Sequence, residues 1–302
     1  MASEQADKMK AQMVEFGAAL FGDGSEPPTL DQMRAPNMLD LTTAPCPDAT
    51  FTAVDAGGVG AFWVDIDGVA TDRVLMYVHG GGYVIGSAEY YNQFAGHLAK
   101  ATGARVLNVD YRLAPEHPHP AQVEDATAAY RWLLDQGIEP GHIAISGDSA
   151  GGGLTLATLM SLRDAGTALP AAAAPISPWA DLEGTGETMV SNAATDVLVQ
   201  KEGLAGMAGA FIGAGSLTDP LAAPLHGDYR GIPPLYIVVG GAETLLDDAR
   251  RVADKAKEAG VDVTIDVFPE MQHVFPIGVG NVPESNDAVA RIGAFVKTKL
   301  GI

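Results

Sequence analysis

From about residue 51 onward, short apolar runs typical of β-strands alternate with longer stretches typical of helices. The run Val74–Val78 is apolar at every position, as expected for a strand that is buried on both faces of a sheet. This alternation predicts an α/β fold, in which helices cover both faces of a mostly parallel sheet. We predict strands at Phe51–Val54, Ala61–Ile66, Val74–Val78, Arg105–Val109, Ile143–Ile145, Ala171–Ile176, Leu235–Val239 and Val263–Phe268. We predict helices at Tyr90–Lys100, Ala121–Leu134, Leu154–Leu162, Leu245–Ala259 and Glu284–Leu300.

Two segments fall outside this alternation. In the first, apolar residues recur at spacings of four, three and four residues and predict one apolar helix face, made by Met9, Met13, Phe16 and Leu20. That helix either packs on the body of the domain or roofs an active site. The second segment, about residues 181 to 231, is rich in Gly, Ala and Thr, with weak helical stretches around Gln200–Ile212. An insertion of this length between two strands is often a lid or cap.

The chain carries a strong negative charge. Its 302 residues include 18 Lys and Arg against 38 Asp and Glu, which gives a formal net charge of −20. This balance argues against a nucleic-acid partner and against attraction to an anionic membrane surface. No apolar run approaches the ~20 residues of a membrane helix. Because the polar N-terminus lacks a signal-peptide core and Cys46 is the single cysteine, we expect a disulfide-free cytoplasmic protein.

One short motif indicates a nucleophile. The pattern G-x-S-x-G is met by Gly147-Asp148-Ser149-Ala150-Gly151, with a strand-like run before it and a helix-like run after it. A strand, a sharp turn and a helix are the context of a nucleophile elbow, in which the serine oxygen projects from the edge of the sheet. Gly147 and Gly151 have no side chains to collide with the neighbouring backbone. We therefore predict Ser149 as the nucleophile of a hydrolase.

A glycine-rich run predicts the site that stabilises the oxyanion. Directly after the strand Val74–Val78 comes His79-Gly80-Gly81-Gly82-Tyr83, the HGGG string of lipase and esterase oxyanion loops. We assign the N–H groups of Gly81 and Gly82 as donors, with that of Ala150 as the third. His79 is expected to hold the loop in shape. Neither a phosphate-binding lysine nor a dinucleotide fingerprint accompanies the glycines.

The base and the acid are expected after the serine, because the order in this type of hydrolase is Ser, then acid, then His. His273 follows a late strand and is the only histidine after His226, so we predict it as the base. Glu243 lies nearest the end of the strand Leu235–Val239 and is the predicted acid, with Asp247 as the alternative. We otherwise expect Asp247 and Asp248, in the following helix, to be surface charges that interact with the dipole of its first turn.

Taken together, these motifs resemble the bacterial hormone-sensitive lipase family of esterases. The resemblance covers roughly residue 74 to the C-terminus and includes Asp110-Tyr111-Arg112-Leu113-Ala114-Pro115-Glu116, a stretch common in that family. It implies a single α/β-hydrolase domain over residues 1–302, with a helical cap formed by residues 1 to about 50 and 181 to 231. It also implies hydrolysis of short- to medium-chain acyl esters without a cofactor or metal. A homodimer through the edge strand Val263–Phe268 is a further implication.

The chain departs from the family pattern at two positions. Many members carry an aspartate as the acid, whereas Glu243 stands here, 30 residues before His273. His119 stands where an aromatic residue is common. We interpret His117 and His119 as structural, with a metal pair as the alternative.

The sequence leaves more than one substrate class possible, and it also leaves a non-catalytic alternative. The same serine chemistry serves esters, lactones, carbamates and amides. A non-catalytic ligand-binding module is disfavoured, because Ser149, Glu243 and His273 are all present. Pocket walls decide the substrate, and candidates for them are Tyr83, Trp179, Leu198, Phe211 and Phe275.

Overall fold

A computed structural model describes residues 2–21, 28–35 and 37–302. Eight strands form one sheet in the order β1-β2-β4-β3-β5-β6-β7-β8. The pairs β1–β2 and β2–β4 are antiparallel and all other neighbours are parallel, as the strand–helix alternation predicts. The strands are β1 Ala49–Asp55, β2 Gly60–Ile66, β3 Ala70–Val78, β4 Ala104–Val109, β5 Ile143–Asp148, β6 Ala172–Ile176, β7 Leu235–Gly240 and β8 Val263–Phe268.

Ten α-helices lie within the described residues. Helices α4 and α10 pack on each other and on the sheet, α6 packs on β5, β6 and α5, and α9 packs on β7 and β8. The helices are α1 Glu4–Phe21, α2 Leu30–Arg34, α3 Met38–Thr42, α4 Ala88–Thr102, α5 Ala121–Asp135, α6 Ala150–Asp164, α7 Thr188–Ser191, α8 Lys201–Ile212, α9 Leu246–Glu258 and α10 Pro283–Leu300. None of these described helices has both the length and the apolar character needed to cross a membrane.

The centre of the sheet is buried and its two edges are not. Every residue of β5, β6 and β7 is buried, whereas β1 has only exposed and half-buried residues and β8 is buried only at Phe268. In β3 only Val74–Val78 is buried, and the polar start of this strand escapes prediction because it lies outside the apolar core. Because β5, β6 and β7 are parallel, the carboxyl ends of β5 and β7 lie at the same edge of the sheet. The predicted site residues follow these strand ends.

The two segments outside the alternation are helical. Helix α1 buries the predicted face of Met9, Met13, Phe16 and Leu20 within the core cluster. The insertion between β6 and β7 contains α7 and α8, and α8 buries Met207, Ala208, Phe211 and Ile212. Both segments thus contribute apolar side chains to the same core as the sheet.

Candidate active site

Ser149 lies in the sharp turn between β5 and α6. Its backbone has φ 53° and ψ −118°, a sparsely populated region for a residue with a side chain. A Cβ atom at Gly147 would overlap the carbonyl oxygens of Val78 and Gly151, and one at Gly151 would overlap those of Val78 and His79. The two flanking glycines are therefore required by the close approach of β3, as the motif predicts.

Ser149, His273 and Glu243 form one hydrogen-bonded chain. Ser149 Oγ lies 2.9 Å from His273 Nε2, and His273 Nδ1 lies 3.2 Å from Glu243 Oε1. Glu243 is fully buried and His273 is 2% exposed. With Nδ1–H donating to the carboxylate, Nε2 is free to accept the serine hydroxyl proton.

The second oxygen of Glu243 is held by two donors. Oε2 accepts hydrogen bonds from Ser177 Oγ at 2.7 Å and from the N–H of Gly240 at 2.9 Å. Ser177 in turn accepts one from the N–H of Val274, next to His273. The orientation of the carboxylate is thus fixed by donors from two elements, the segment after β6 and the end of β7, without any contribution from a substrate.

The pKa of His273 reflects burial and three carboxylates. Burial lowers this pKa, but the charge and hydrogen bond of Glu243, followed by the charges of Asp196 and Asp148, raise it above its ordinary value. Stabilising the imidazolium in this way suits a base that holds a proton during part of a reaction cycle.

The two acidic residues at the start of α9, Asp247 and Asp248, form hydrogen bonds with groups other than His273. Asp247 accepts hydrogen bonds from the N–H of Thr188 and from Arg250. Asp248, expected on the surface, is instead 1% exposed, so that expectation is wrong. It accepts the N–H groups of Ala180 and Asp181, each at 2.9 Å, because the chain after β6 folds back onto α9. Burial raises the pKa of Asp248 to about 7.

Asp148 organises the glycine loop, a role that the sequence motif alone does not indicate. This buried carboxylate accepts hydrogen bonds from Tyr77 Oη at 2.6 Å, from Tyr91 Oη at 2.9 Å and from the N–H of Gly80 at 2.9 Å. The loop therefore starts at a fixed point beside the serine. Burial raises the pKa of Asp148.

The backbone of the glycine loop adopts conformations that favour glycine. Gly81 and Gly82 have φ of 109° and 60°. A Cβ atom at Gly82 would overlap Sδ of Met207 from α8. His79 stacks on Tyr111 at 4.3 Å and its Nδ1 donates to the carbonyl of Gly80 at 2.7 Å, so its ring braces the loop. Within the described residues, no group accepts a hydrogen bond from the N–H of Gly81, Gly82 or Ala150.

A cavity of about 110 Å³ opens above Ser149 and His273. The glycine loop forms one side of it. Its other walls are mainly apolar, with Phe16 and Leu20 of α1, Met38 of α3, and Leu198, Leu204 and Met207 of the insertion. The lining also includes Asn37, Gln200, and Tyr90 and Tyr91 of α4. The cavity can therefore bind an apolar group next to the Ser149 hydroxyl, which is hydrogen-bonded to His273.

Comparison with known proteins places the chain among hydrolases. Residues 75–277 match a family model described as the alpha/beta hydrolase fold. An acetyl-hydrolase of Streptomyces hygroscopicus is 47% identical over 229 residues, which are 76% of this chain and 77% of that protein. The crystal structure of an esterase from the bacterial hormone-sensitive lipase family is 43% identical, with a TM-score of 0.94 and 99% of each chain covered. The chain belongs to this family of α/β-hydrolase esterases.

The protein EstE5, in crystals soaked with p-nitrophenyl butyrate, is 40% identical with a TM-score of 0.93, and both chains are wholly covered. The likeness of these two solved structures to this chain thus extends over the helical segments as well as the sheet.

Of the five predicted pocket residues in this esterase, only Leu198 lines the cavity. The ring of Tyr83 stacks on Phe211 at 3.8 Å and lies 5.9 Å from Trp179, while Phe275 packs on Phe268. These four rings are at most 1% exposed, so the structure places them in the core behind the cavity. The sequence predicts these residues as pocket walls because they are large and apolar, but a large apolar residue can equally lie in the core.

The histidines at 117 and 119 lie apart from the active site of this esterase. His117 is exposed, and His119 Nε2 lies 3.4 Å from Asp219 with its ring edge against Phe211. Within the part of the chain that the structure describes, the one group with the spacing of metal ligands lacks both histidines and consists of Asp181, Glu183 and His226. Asp181 already accepts hydrogen bonds from Thr185 and Arg251.

Proposed function

We propose that this esterase hydrolyses short- to medium-chain carboxylic esters through an acyl-enzyme on Ser149. The observation that carries the proposal is the position of His273, 2.9 Å from Ser149 Oγ and 3.2 Å from Glu243 Oε1. Such an arrangement activates a serine that is otherwise a weak nucleophile.

In the proposed reaction, Ser149 Oγ attacks the ester carbonyl while His273 Nε2 takes its proton. The negative oxygen of the tetrahedral intermediate accepts hydrogen bonds from the N–H groups of Gly81, Gly82 and Ala150. Collapse of the intermediate breaks the bond to the alcohol, which leaves with the proton from His273. A water molecule then gives its proton to His273 and attacks the acyl group. Collapse of this second intermediate breaks the bond to Ser149 Oγ, which takes the proton back from His273, and the carboxylic acid is released. Glu243 stabilises the imidazolium in both halves.

The cavity supports the proposed substrate class. Its walls are apolar, its volume is about 110 Å³, and the chain has a net charge of −20, which together favour a small neutral acyl group over an anionic one. The relative from Streptomyces hygroscopicus is an acetyl-hydrolase, and EstE5 was soaked with a butyrate ester. In the proposal, the segments 1–50 and 181–231 act as a cap, since residues of both line the cavity.

A phosphonate probe and a panel of substrates test the proposal. We expect the probe to label the wild type and Ser191→Ala, whose serine is exposed on α7, but not Ser149→Ala. We expect p-nitrophenyl acetate and butyrate to be hydrolysed faster than laurate, and Ser149→Ala to lose about 10⁶-fold in kcat. Labelling that survives Ser149→Ala would contradict the role of the serine. Faster turnover of lactones or amides than of esters would contradict the substrate class.

A further inference from the structure

One buried carboxylate of the insertion reaches the loop that carries Glu243. Asp196 is 3% exposed. Its Oδ2 accepts hydrogen bonds from the N–H of Thr244 at 2.7 Å and from Thr244 Oγ1 at 3.0 Å. Its Oδ1 accepts hydrogen bonds from the N–H groups of Leu198 at 3.0 Å and Val199 at 2.9 Å. A single side chain therefore joins the residue after Glu243 to two residues of the cavity wall.

The same segment also reaches the loop of His273. The N–H of Val197 donates to Gln272 Oε1 at 3.0 Å, and Gln272 directly precedes His273. Residues 196–199 are thus hydrogen-bonded to the immediate neighbours of two members of the Ser149–His273–Glu243 chain.

We propose that Asp196 is a positioning residue that couples the acyl-pocket wall at Leu198 and Val199 to the geometry and basicity of Glu243 and His273. This inference rests on the proposed function of those residues. Asp196 touches neither Ser149 nor the space for substrate, and it acts through its hydrogen bonds and its charge. Pocket occupancy and catalytic geometry are then linked by one carboxylate that the serine motif does not reveal.

The charge of Asp196 adds to that of the groups facing His273. These groups are Glu243 from the loop after β7 and Asp148 from the end of β5. The neutral Tyr91 of α4 lines the same cavity and hydrogen-bonds to Asp148. Burial lowers the pKa of His273, and Glu243, then Asp196, then Asp148 raise it. Removing the Asp196 charge therefore lowers the pKa of His273. The acid limb of kcat/KM, which requires a neutral base, moves to lower pH.

Three variants separate charge from hydrogen bonding. Asp196→Asn removes the charge and replaces one of the two acceptor oxygens by an NH₂ group, which cannot accept hydrogen bonds from the backbone N–H groups that Asp196 binds. Thr244→Val keeps the charge and the backbone hydrogen bonds of Asp196. Asp254→Asn, on the exposed face of α9, removes one negative charge far from the site. For each variant, kcat/KM is measured against pH with acetate and butyrate esters of p-nitrophenol, with the folded state followed by circular dichroism.

We expect Asp196→Asn to move the acid limb to lower pH, to reduce plateau kcat roughly 10- to 100-fold, and to lower the preference for butyrate over acetate. Thr244→Val loses roughly 5-fold in kcat with the acid limb in place, which is the effect of one hydrogen bond. Asp254→Asn behaves as the wild type.

An unmoved acid limb in folded Asp196→Asn, or an unchanged acyl preference, overturns the coupling. A shift of equal size in Asp254→Asn also overturns it, because the effect would then come from net charge alone. Failure of the proposed function is distinguishable from these results, since it would appear in wild type as hydrolysis that survives Ser149→Ala or His273→Ala.

Discussion

Glu243 orients His273 with one oxygen while Ser177 and Gly240 hold the other. A carboxylate that is fixed at both oxygens favours the imidazole tautomer with the proton on Nδ1, which leaves Nε2 free to accept a proton from Ser149. The longer side chain of glutamate, compared with the aspartate common in the family, still places Oε1 at 3.2 Å from Nδ1.

Replacing Glu243 by glutamine tests this arrangement. The amide keeps the shape but removes the charge, so we expect Glu243→Gln to lose roughly 10⁴-fold in kcat at neutral pH. Asp247→Asn is the matched control, because Asp247 bonds to Thr188 and Arg250 rather than to His273, and it should keep near wild-type kcat. Steady-state kinetics on one ester measures both. A large loss in Asp247→Asn with retained activity in Glu243→Gln would exchange the two roles.

Asp148 provides a second test at the scale of one residue. Asp148→Ala leaves the buried donors Tyr77, Tyr91 and Gly80 without their acceptor. We expect a loss of roughly 3 kcal/mol in the free energy of unfolding, together with a drop in kcat as the glycine loop relaxes. Asp148→Asn retains an acceptor for Gly80 and should recover most of both. Urea denaturation and kinetics report the two effects, and equal losses in both variants would rule out hydrogen bonding as the cause.

Residues that carry a motif are predictable from sequence, and those that hold the motif in place are not. Ser149 follows from its glycines, and His273 and Glu243 follow from chain order and strand ends. Ser177 and Asp196 bond to partners 66 and 48 residues away, and such pairings exist only after the chain is folded. Leu198 is the one pocket residue identified, because the core and the pocket draw on the same apolar residue types.

At the scale of elements, strand and helix positions follow the apolar pattern, and they deviate from it in exposed polar segments and where close backbone contacts require glycine. Strand β3 begins at Ala70, four residues before the apolar run Val74–Val78. Helix α6 begins at Ala150, directly at the serine, and its first turn is made by glycines that helix propensity disfavours. Close contacts explain these glycines despite their low helix propensity: Val78 and His79 approach Gly151, and residues 176–179 approach Gly152 and Gly153.

Helix α8 is the element that joins the insertion to the glycine loop. Phe211 is 1% exposed and stacks on Tyr83, the residue after Gly82, at 3.8 Å. We expect Phe211→Ala to lower the free energy of unfolding by roughly 3–5 kcal/mol, because it leaves a cavity between the two segments. Leu217→Ala, at a position 37% exposed, should change it by less than about 0.5 kcal/mol. Urea denaturation measures both, and a loss below 1 kcal/mol in Phe211→Ala would mean that α8 is not held by this contact.

At the scale of the whole molecule, β8 lies at the edge of the sheet and pairs only with β7 among the described strands. Leu235 N–H donates to the carbonyl of Asp262, and a parallel ladder bonds alternate residues, so the N–H of Ile265 points away from β7. An edge of unpaired backbone groups is a surface on which a second strand can pair. The negative charge of each chain opposes that association and is screened by salt.

We therefore expect a homodimer formed through β8, with a dimer fraction that rises with NaCl concentration. Ile265→Pro removes an outward N–H while leaving the ladder to β7 in place, so this variant should be monomeric. Ile265→Val keeps the N–H and should remain dimeric. Sedimentation equilibrium at low and high salt measures the masses, and circular dichroism checks that each variant is folded. A monomeric wild type at both salt concentrations, or a dimer that persists in Ile265→Pro, would show that copies of this chain do not associate through the β8 edge.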